Sequence, residues 1–144
     1  MYVKDVMRVE VTTAPLGTPV QEAFEIMRDG GFRHLPILDE LGKVVGILSD
    51  RDLRSVGAIY KDEDTGTEDF LVTEDSTVDK IMISKPFTVS PEDSVSFAVD
   101  IFREKRIGCL IVSKGGDLAG ILSYLDLLDA LKKLLDKPVQ ESAA

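Results

Sequence analysis

The apolar positions of this chain fall into short segments that recur in the same order. Val20, Ala23, Phe24 and Met27 stand at i, i+3, i+4 and i+7 and mark one face of an amphipathic helix. Val95, Ala98, Val99 and Phe102 mark a second face at an offset of 75. Thr18-Pro19 offers the first helix a cap residue and then a proline whose missing N–H costs nothing, and Gly30-Gly31 ends it. The second helix reads from Asp93 to Glu104, with a similar acidic start, and leads into Lys105-Arg106. Each helix is followed by a short apolar run, Leu35-Pro36-Ile37-Leu38 or Leu110-Ile111-Val112. A turn comes next, Asp39-Glu40-Leu41-Gly42 or Lys114-Gly115-Gly116-Asp117, and then a second run, Val44 to Leu48 or Leu118 to Leu122. Two short strands joined by a glycine-containing turn predict a hairpin in each half. Closing helices begin at Asp50 and Tyr124. In the last one Leu127, Leu128, Leu131, Leu134 and Leu135 form a wide apolar stripe, suited to core or to a dimer interface, before Pro138 stops it.

The lead-in to each half repeats as well: Val3-Lys4-Asp5-Val6-Met7 returns as Val78-Asp79-Lys80-Ile81-Met82. Each repeat therefore reads strand, helix, strand, strand, helix. The expected division is a first repeat at 1–59, an acidic connector at 60–77, a second repeat at 78–137 and a tail at 138–144. A sheet of so few strands leaves one face bare, and two copies packed sheet to sheet would bury both. The expectation is one pseudo-twofold α/β globule of the α+β kind. The connector carries Asp62, Glu63, Asp64, Glu68, Asp69, Glu74 and Asp75 around Gly66, with one apolar patch at Phe70-Leu71-Val72. It reads as a solvated segment with a single anchor, a broken helix being one form of it. A calcium loop fits poorly, since Gly66 falls one position early and Thr73 stands where the closing glutamate belongs.

Composition narrows the class. With 144 residues, 44% hydrophobic and 30% charged, the chain is long enough to bury a core without staples and reads as soluble and globular. A formal net charge of −9 argues against a nucleic-acid duplex or an anionic membrane as the main partner. No apolar run approaches bilayer length, and no secretory signal precedes the first repeat. Cys109 is the only cysteine, reads as a small core residue, and excludes an internal disulfide, which suits a reducing compartment. A cytoplasmic protein is expected.

The chemistry lies at a strand-to-helix junction written twice, Gly46-Ile47-Leu48-Ser49-Asp50-Arg51-Asp52-Leu53 and Gly120-Ile121-Leu122-Ser123-Tyr124-Leu125-Asp126-Leu127. A serine here can accept a bond from a free backbone N–H, and an acid three residues on can reach back. The same geometry also suits a phosphate and a ribose diol. The cap alone accounts for one copy, and the repetition favours the ligand. His34, the sole histidine, does not make a hydrolase triad with Ser49 and Asp52, because a cap serine and its acid have no geometry that orients the imidazole. One histidine and one cysteine do not make a zinc set. No catalysis is expected.

In register, these features resemble a tandem pair of CBS (cystathionine β-synthase) domains, a Bateman module. The resemblance rests on V-x-D-V-M or V-D-K-I-M, the amphipathic helix, an L-P-I/V-type strand and G-h-h-S-x-x-D-L, where h is apolar, and it covers nearly the whole chain. It implies two βαββα repeats whose clefts bind AMP, ADP, ATP or S-adenosylmethionine, the aspartate holding the ribose hydroxyls and the serine contacting ribose or phosphate. The adenine would rest on the lead-in segment of the opposite repeat. Carried over, one cleft takes Ser49 and Asp52 with Ile83, Ser84, Lys85, Pro86 and Thr88. The other takes Ser123 and Asp126 with Val9, Val11 and Thr13. A homodimer is implied, as is an unidentified regulated protein. The implied function is a stand-alone regulatory energy or ligand sensor that requires no cofactor; a ligand-free dimerisation module is the alternative. The first cleft also has Arg33, His34 and Arg51 to meet phosphate, where the second copy has Gly108-Cys109 and Tyr124-Leu125. A phosphorylated ligand is expected at Asp52. Arg8 and Ile83 replace the threonine usual after the lead-in methionine, and Ile111 replaces a usual proline.

Overall fold

The buried stripes and glycine turns become regular elements in the computed structural model, which describes residues 1–138. The expected tail, apart from Pro138, lies outside the described residues. In chain order the first half holds α1 (Val3–Val6), β1 (Ala14–Pro15), α2 (Val20–Gly30), β2 (His34–Leu38), β3 (Val44–Ser49) and α3 (Asp50–Leu53). Then come β4 (Gly57–Lys61), β5 (Glu68–Val72), α4 (Val78–Ile81), β6 (Ile83–Ser84) and β7 (Thr88–Val89), followed by α5 (Val95–Lys105), β8 (Cys109–Lys114), β9 (Asp117–Ser123) and α6 (Tyr124–Leu135). These group into two units, one of Val11–Phe87 with Lys114–Leu118, the other of Met1–Glu10, Thr88–Ser113 and the chain from Ala119.

In the first of these, the sheet runs β1-β2-β3-β6. β1 is parallel to β2, β2 is antiparallel to β3, and β6 joins the free side of β3 through Gly46↔Ser84 and Ile47↔Ile83. The α2 stripe of Val20, Ala23, Phe24 and Met27 is buried with Leu35, Ile37, Leu48, Leu53, Phe70 and Val78. Gly31 closes α2 at φ 72°, a left-handed position that glycine fills without strain. Thr18 does not cap this helix as expected. Its hydroxyl donates to the Pro15 carbonyl at 2.7 Å, and its own carbonyl accepts from the Val78 N–H, so Pro19 precedes the first turn instead.

Two expectations change here. The lead-in segments are single helical turns rather than strands. Val3 and Val78 are fully buried at their starts, and the Asp5 carboxylate ties α1 by accepting from the Tyr2 N–H. The strand of each repeat is a two-residue pairing further on, β1 or β7. The connector holds strands rather than a broken helix, with Phe70 as its anchor: β4 and β5 pair antiparallel along five residues from Gly57↔Val72 to Lys61↔Glu68. Phe70 stacks on Phe24 at 5.3 Å between ring centroids while its neighbour Leu71 points out, an alternation of period two. Asp62 closes the turn by accepting from the N–H groups of Asp64 and Thr65.

The second unit has the sheet β7-β8-β9, with β7 parallel to β8. Its core is Val3, Val89, Ala98, Phe102, Leu110, Val112 and Leu122. Ser94 caps α5 by accepting from the Phe97 N–H at 3.0 Å. α6 contributes little to this core. Leu127 packs against it, whereas Leu128, Leu131, Leu134 and Leu135 are exposed.

Both motif glycines are places of close approach. A Cβ on Gly120 would stand 2.6 Å from the Arg8 carbonyl oxygen, because Arg8 and Ile121 exchange backbone hydrogen bonds of 2.9 and 3.0 Å. A Cβ on Gly46 would overlap the flexible Met82 side chain instead. Gly120→Ala should therefore destabilise the protein by about 1–3 kcal/mol in urea denaturation, and Gly46→Ala by less, since a thioether chain can turn aside and a backbone carbonyl cannot.

Candidate functional site

The two junctions are built alike. β3 ends at Ser49, whose Oγ accepts from the Asp52 N–H at 3.3 Å while Asp52 Oδ2 accepts from the Ser49 N–H at 2.9 Å. β9 ends at Ser123, whose Oγ accepts from the Asp126 N–H at 3.4 Å, and Asp126 Oδ2 accepts from the Ser123 N–H at 2.8 Å and its hydroxyl at 3.0 Å. Both are closed capping boxes. Each box engages Oδ2 of its aspartate, and the two junctions differ in what surrounds them.

At the first junction His34 pairs with Ser49 in the β2–β3 ladder, and Ile83 and Ser84 lie along β3 through β6. Lys85 follows at φ 52° with its N–H on the Val45 carbonyl, and Pro86 belongs to the same unit. Thr88 falls in the other unit. Arg33 is engaged at the surface: its Nη1 donates to Asp50 Oδ2 at 2.9 Å, and Arg54 Nη1 donates to the same oxygen at 3.3 Å. Partial burial works against ionisation of Asp50, but the hydrogen bonds and charges of Arg33, then of Arg54, outweigh it and hold the carboxyl below its usual range. Arg51 is exposed, and its backbone N–H donates to Asp50 Oδ1.

At the second junction Ser123, Asp126 and Val9 share a unit, while Val11 and Thr13 belong to the other. The structure adds Arg8, whose Nε lies 3.5 Å from Asp126 Oδ1. Gly108-Cys109 and Tyr124-Leu125 bring no charge to this junction, and Arg8, outside those positions, brings a guanidinium. A signal was present in the sequence, since Arg8 follows Met7 as Ile83 follows Met82. Cys109 is buried as expected, and burial, then the Asp126 carboxylate, push its thiol up to about 12, with Arg8 opposing. It is unreactive at neutral pH.

Two cavities flank the junctions. One of about 440 Å³ is lined by Phe24, Arg28, Arg33, Asp50, Leu53, Arg54 and the hairpin's Ile59, Thr67 and Glu68, among others. Another of about 480 Å³ lies against α1 and α6 and includes Asp126, Asp129, Lys133 and Lys137 in its wall. No helix among the described residues is long and apolar enough to cross a membrane.

The profile of the CBS domain matches residues 3–58 and 78–133, so both junctions lie inside a match. The chain belongs to the CBS domain family. It is 31% identical over 139 residues to a CBS domain-containing protein of Dictyostelium discoideum, covering 94% of each chain. It is 32% identical over 117 residues to an uncharacterised protein of Methanocaldococcus jannaschii, covering 81% of this chain but only 25% of that longer one. Among solved structures, the CBS domain pair of protein MJ0100 in complex with 5′-methylthioadenosine and S-adenosyl-L-methionine has a TM-score of 0.76 at 22% identity, covering 93% of this chain and 98% of that one. CBSX2 in complex with AMP has a TM-score of 0.73 at 22% identity, covering 93% and 98%. The fold is thus a mixed α/β arrangement of two CBS repeats, as the resemblance implied.

The arginines around Asp50 predict a pH signature. Because the folded carboxyl titrates below its ordinary value, its contribution to stability is present above that value and disappears as pH falls through the lowered one. Asp50→Asn should lower the melting temperature at neutral pH, and the gap from wild type should close as the pH is taken below about 4. Thermal melts of both proteins from pH 7 to pH 2.5 measure this.

Proposed function

We propose that this CBS pair is a regulatory module that binds an adenosine compound at its serine–aspartate junctions and acts as an energy or ligand sensor. The observation that carries the reading is the repeated junction, in which a carboxylate and a hydroxyl meet at the start of a helix in both CBS repeats. Asp52 and Asp126 would take ribose hydroxyls, and Ser49 and Ser123 would contact ribose or phosphate. At the first junction Ile83, Ser84, Lys85 and Pro86 would bed the base, with Arg33, His34 and Arg51 near the phosphate end. Val9 would serve the second. The adenosine ligands of the MJ0100 and CBSX2 structures support the ligand class. AMP, ADP, ATP and S-adenosylmethionine are the candidates. The exposed leucines of α6 suit a homodimer, and the single buried cysteine suits the cytoplasm. In this reading the module is not an enzyme. Its output reaches another protein through a ligand-dependent shift in shape or assembly.

The alternative is a ligand-free dimerisation module. It is favoured by one observation: both boxes are satisfied as helix caps. Isothermal titration with AMP, ADP, ATP and S-adenosylmethionine separates the two. The sensor reading expects saturable binding at about 1–100 μM, weakened at least tenfold by Asp52→Ala or Asp126→Ala, with both variants still melting cooperatively. Absence of heat from all four compounds, with an unshifted melting temperature, would leave the scaffold.

A further inference from the structure

Positions 8 and 83 are equivalent in the two repeats, and both sit beside the motif strand. Arg8 bridges to Ile121 and Ile83 pairs with Ile47, so each side chain is delivered to the neighbourhood of a junction. At the first junction the chain supplies an isoleucine. At the second it supplies a guanidinium, and that guanidinium meets the motif aspartate.

The Asp126 carboxylate is divided between two tasks. Oδ2 accepts the N–H and the hydroxyl of Ser123, and Oδ1 faces Arg8 Nε at 3.5 Å. A ribose diol that used this carboxylate would need Oδ1. The two partners are unequal in freedom. The Asp126 side chain is 9% exposed and pinned by its cap, whereas the Arg8 side chain is 54% exposed. Arg8 is the group that can move. An ion pair with one partner so exposed is weak, and a guanidinium binds phosphate in a bidentate fork with more donors than it spends here.

We propose that Arg8 is a charge gate at the second junction, which selects anionic adenosine compounds over neutral nucleosides. With no ligand, its guanidinium covers Asp126 Oδ1. A ligand phosphate draws the guanidinium to itself and releases Oδ1 to the ribose diol. A neutral nucleoside must displace Arg8 without offering it a partner. The gate rests on the adenosine reading of this junction.

The test uses AMP and adenosine as probes, titrated into Asp52→Ala protein to silence the first junction, with and without Arg8→Ala or Arg8→Lys. Arg8→Ala should weaken AMP about tenfold and strengthen adenosine a few-fold, so that the preference for AMP collapses, while Arg8→Lys should keep part of it. The Arg8 Nε–H resonance should move with AMP and shift differently with adenosine. Binding of both probes with an unchanged ratio in Arg8→Ala would overturn the gate and leave the adenosine reading standing. Equal weakening of both would also overturn it, by making Arg8 a structural prop. Absence of binding by either probe to any form would overturn the adenosine reading at Asp126, and the gate with it.

Discussion

The missing side chain at Gly120 allows the Arg8 carbonyl to lie where a Cβ would otherwise stand, 2.6 Å away. From that approach follow the paired hydrogen bonds between Arg8 and Ile121, the seating of Val3 in a core of residues about a hundred positions downstream, and the delivery of the Arg8 side chain to Asp126. Gly46 plays the same part where Met82 crosses it and β6 extends β3. Each unit is therefore assembled from pieces distant in sequence. Met1–Glu10 packs with the second repeat's helices and strands, and the segment from Val78 to Phe87 packs with the first repeat's. A glycine in the motif reads locally as a strand irregularity, but its role here is to accept a neighbouring strand.

On that shared frame the chain varies charge. Both junctions close the same capping box, yet Asp50 gathers Arg33 and Arg54 at the first, and Asp126 faces Arg8 at the second. An arginine's nearness to a motif in sequence does not say which carboxylate it meets. Arg33 stands just before β2, and its hydrogen bond goes to a carboxylate of α3. Arg8 lies 118 positions from Asp126 and is the cation that meets the motif aspartate.

Much of this was legible in the amino-acid order because it depends on local rules. The α2 and α5 stripes, the serine–aspartate boxes and the hairpins are set by periodicity, capping chemistry and turn residues within a few positions of each other. What was not legible depends on distant partners. The connector's anchor at Phe70 could be read, but not its partner Phe24 far upstream nor the pairing of β4 with β5. Thr18 has the chemistry of a cap, but its backbone is taken by Val78 and its hydroxyl by Pro15. The lead-in motifs look like strands by composition and become helical turns, each anchored by a buried valine; Asp5 folds the first back by accepting from Tyr2, whereas Asp79 in the second accepts from the distant Gly17 N–H.

The central claim is that adenosine compounds bind at the serine–aspartate junctions. The most direct measurement is a two-dimensional amide NMR titration of the full chain with AMP, following Ser49, Asp52, Ser123 and Asp126. The account predicts that the amides of at least one junction shift saturably and fit a single dissociation constant with their cap partners. Signals at all four positions that stay fixed up to about millimolar AMP, far above the affinity expected of a sensor, would contradict it.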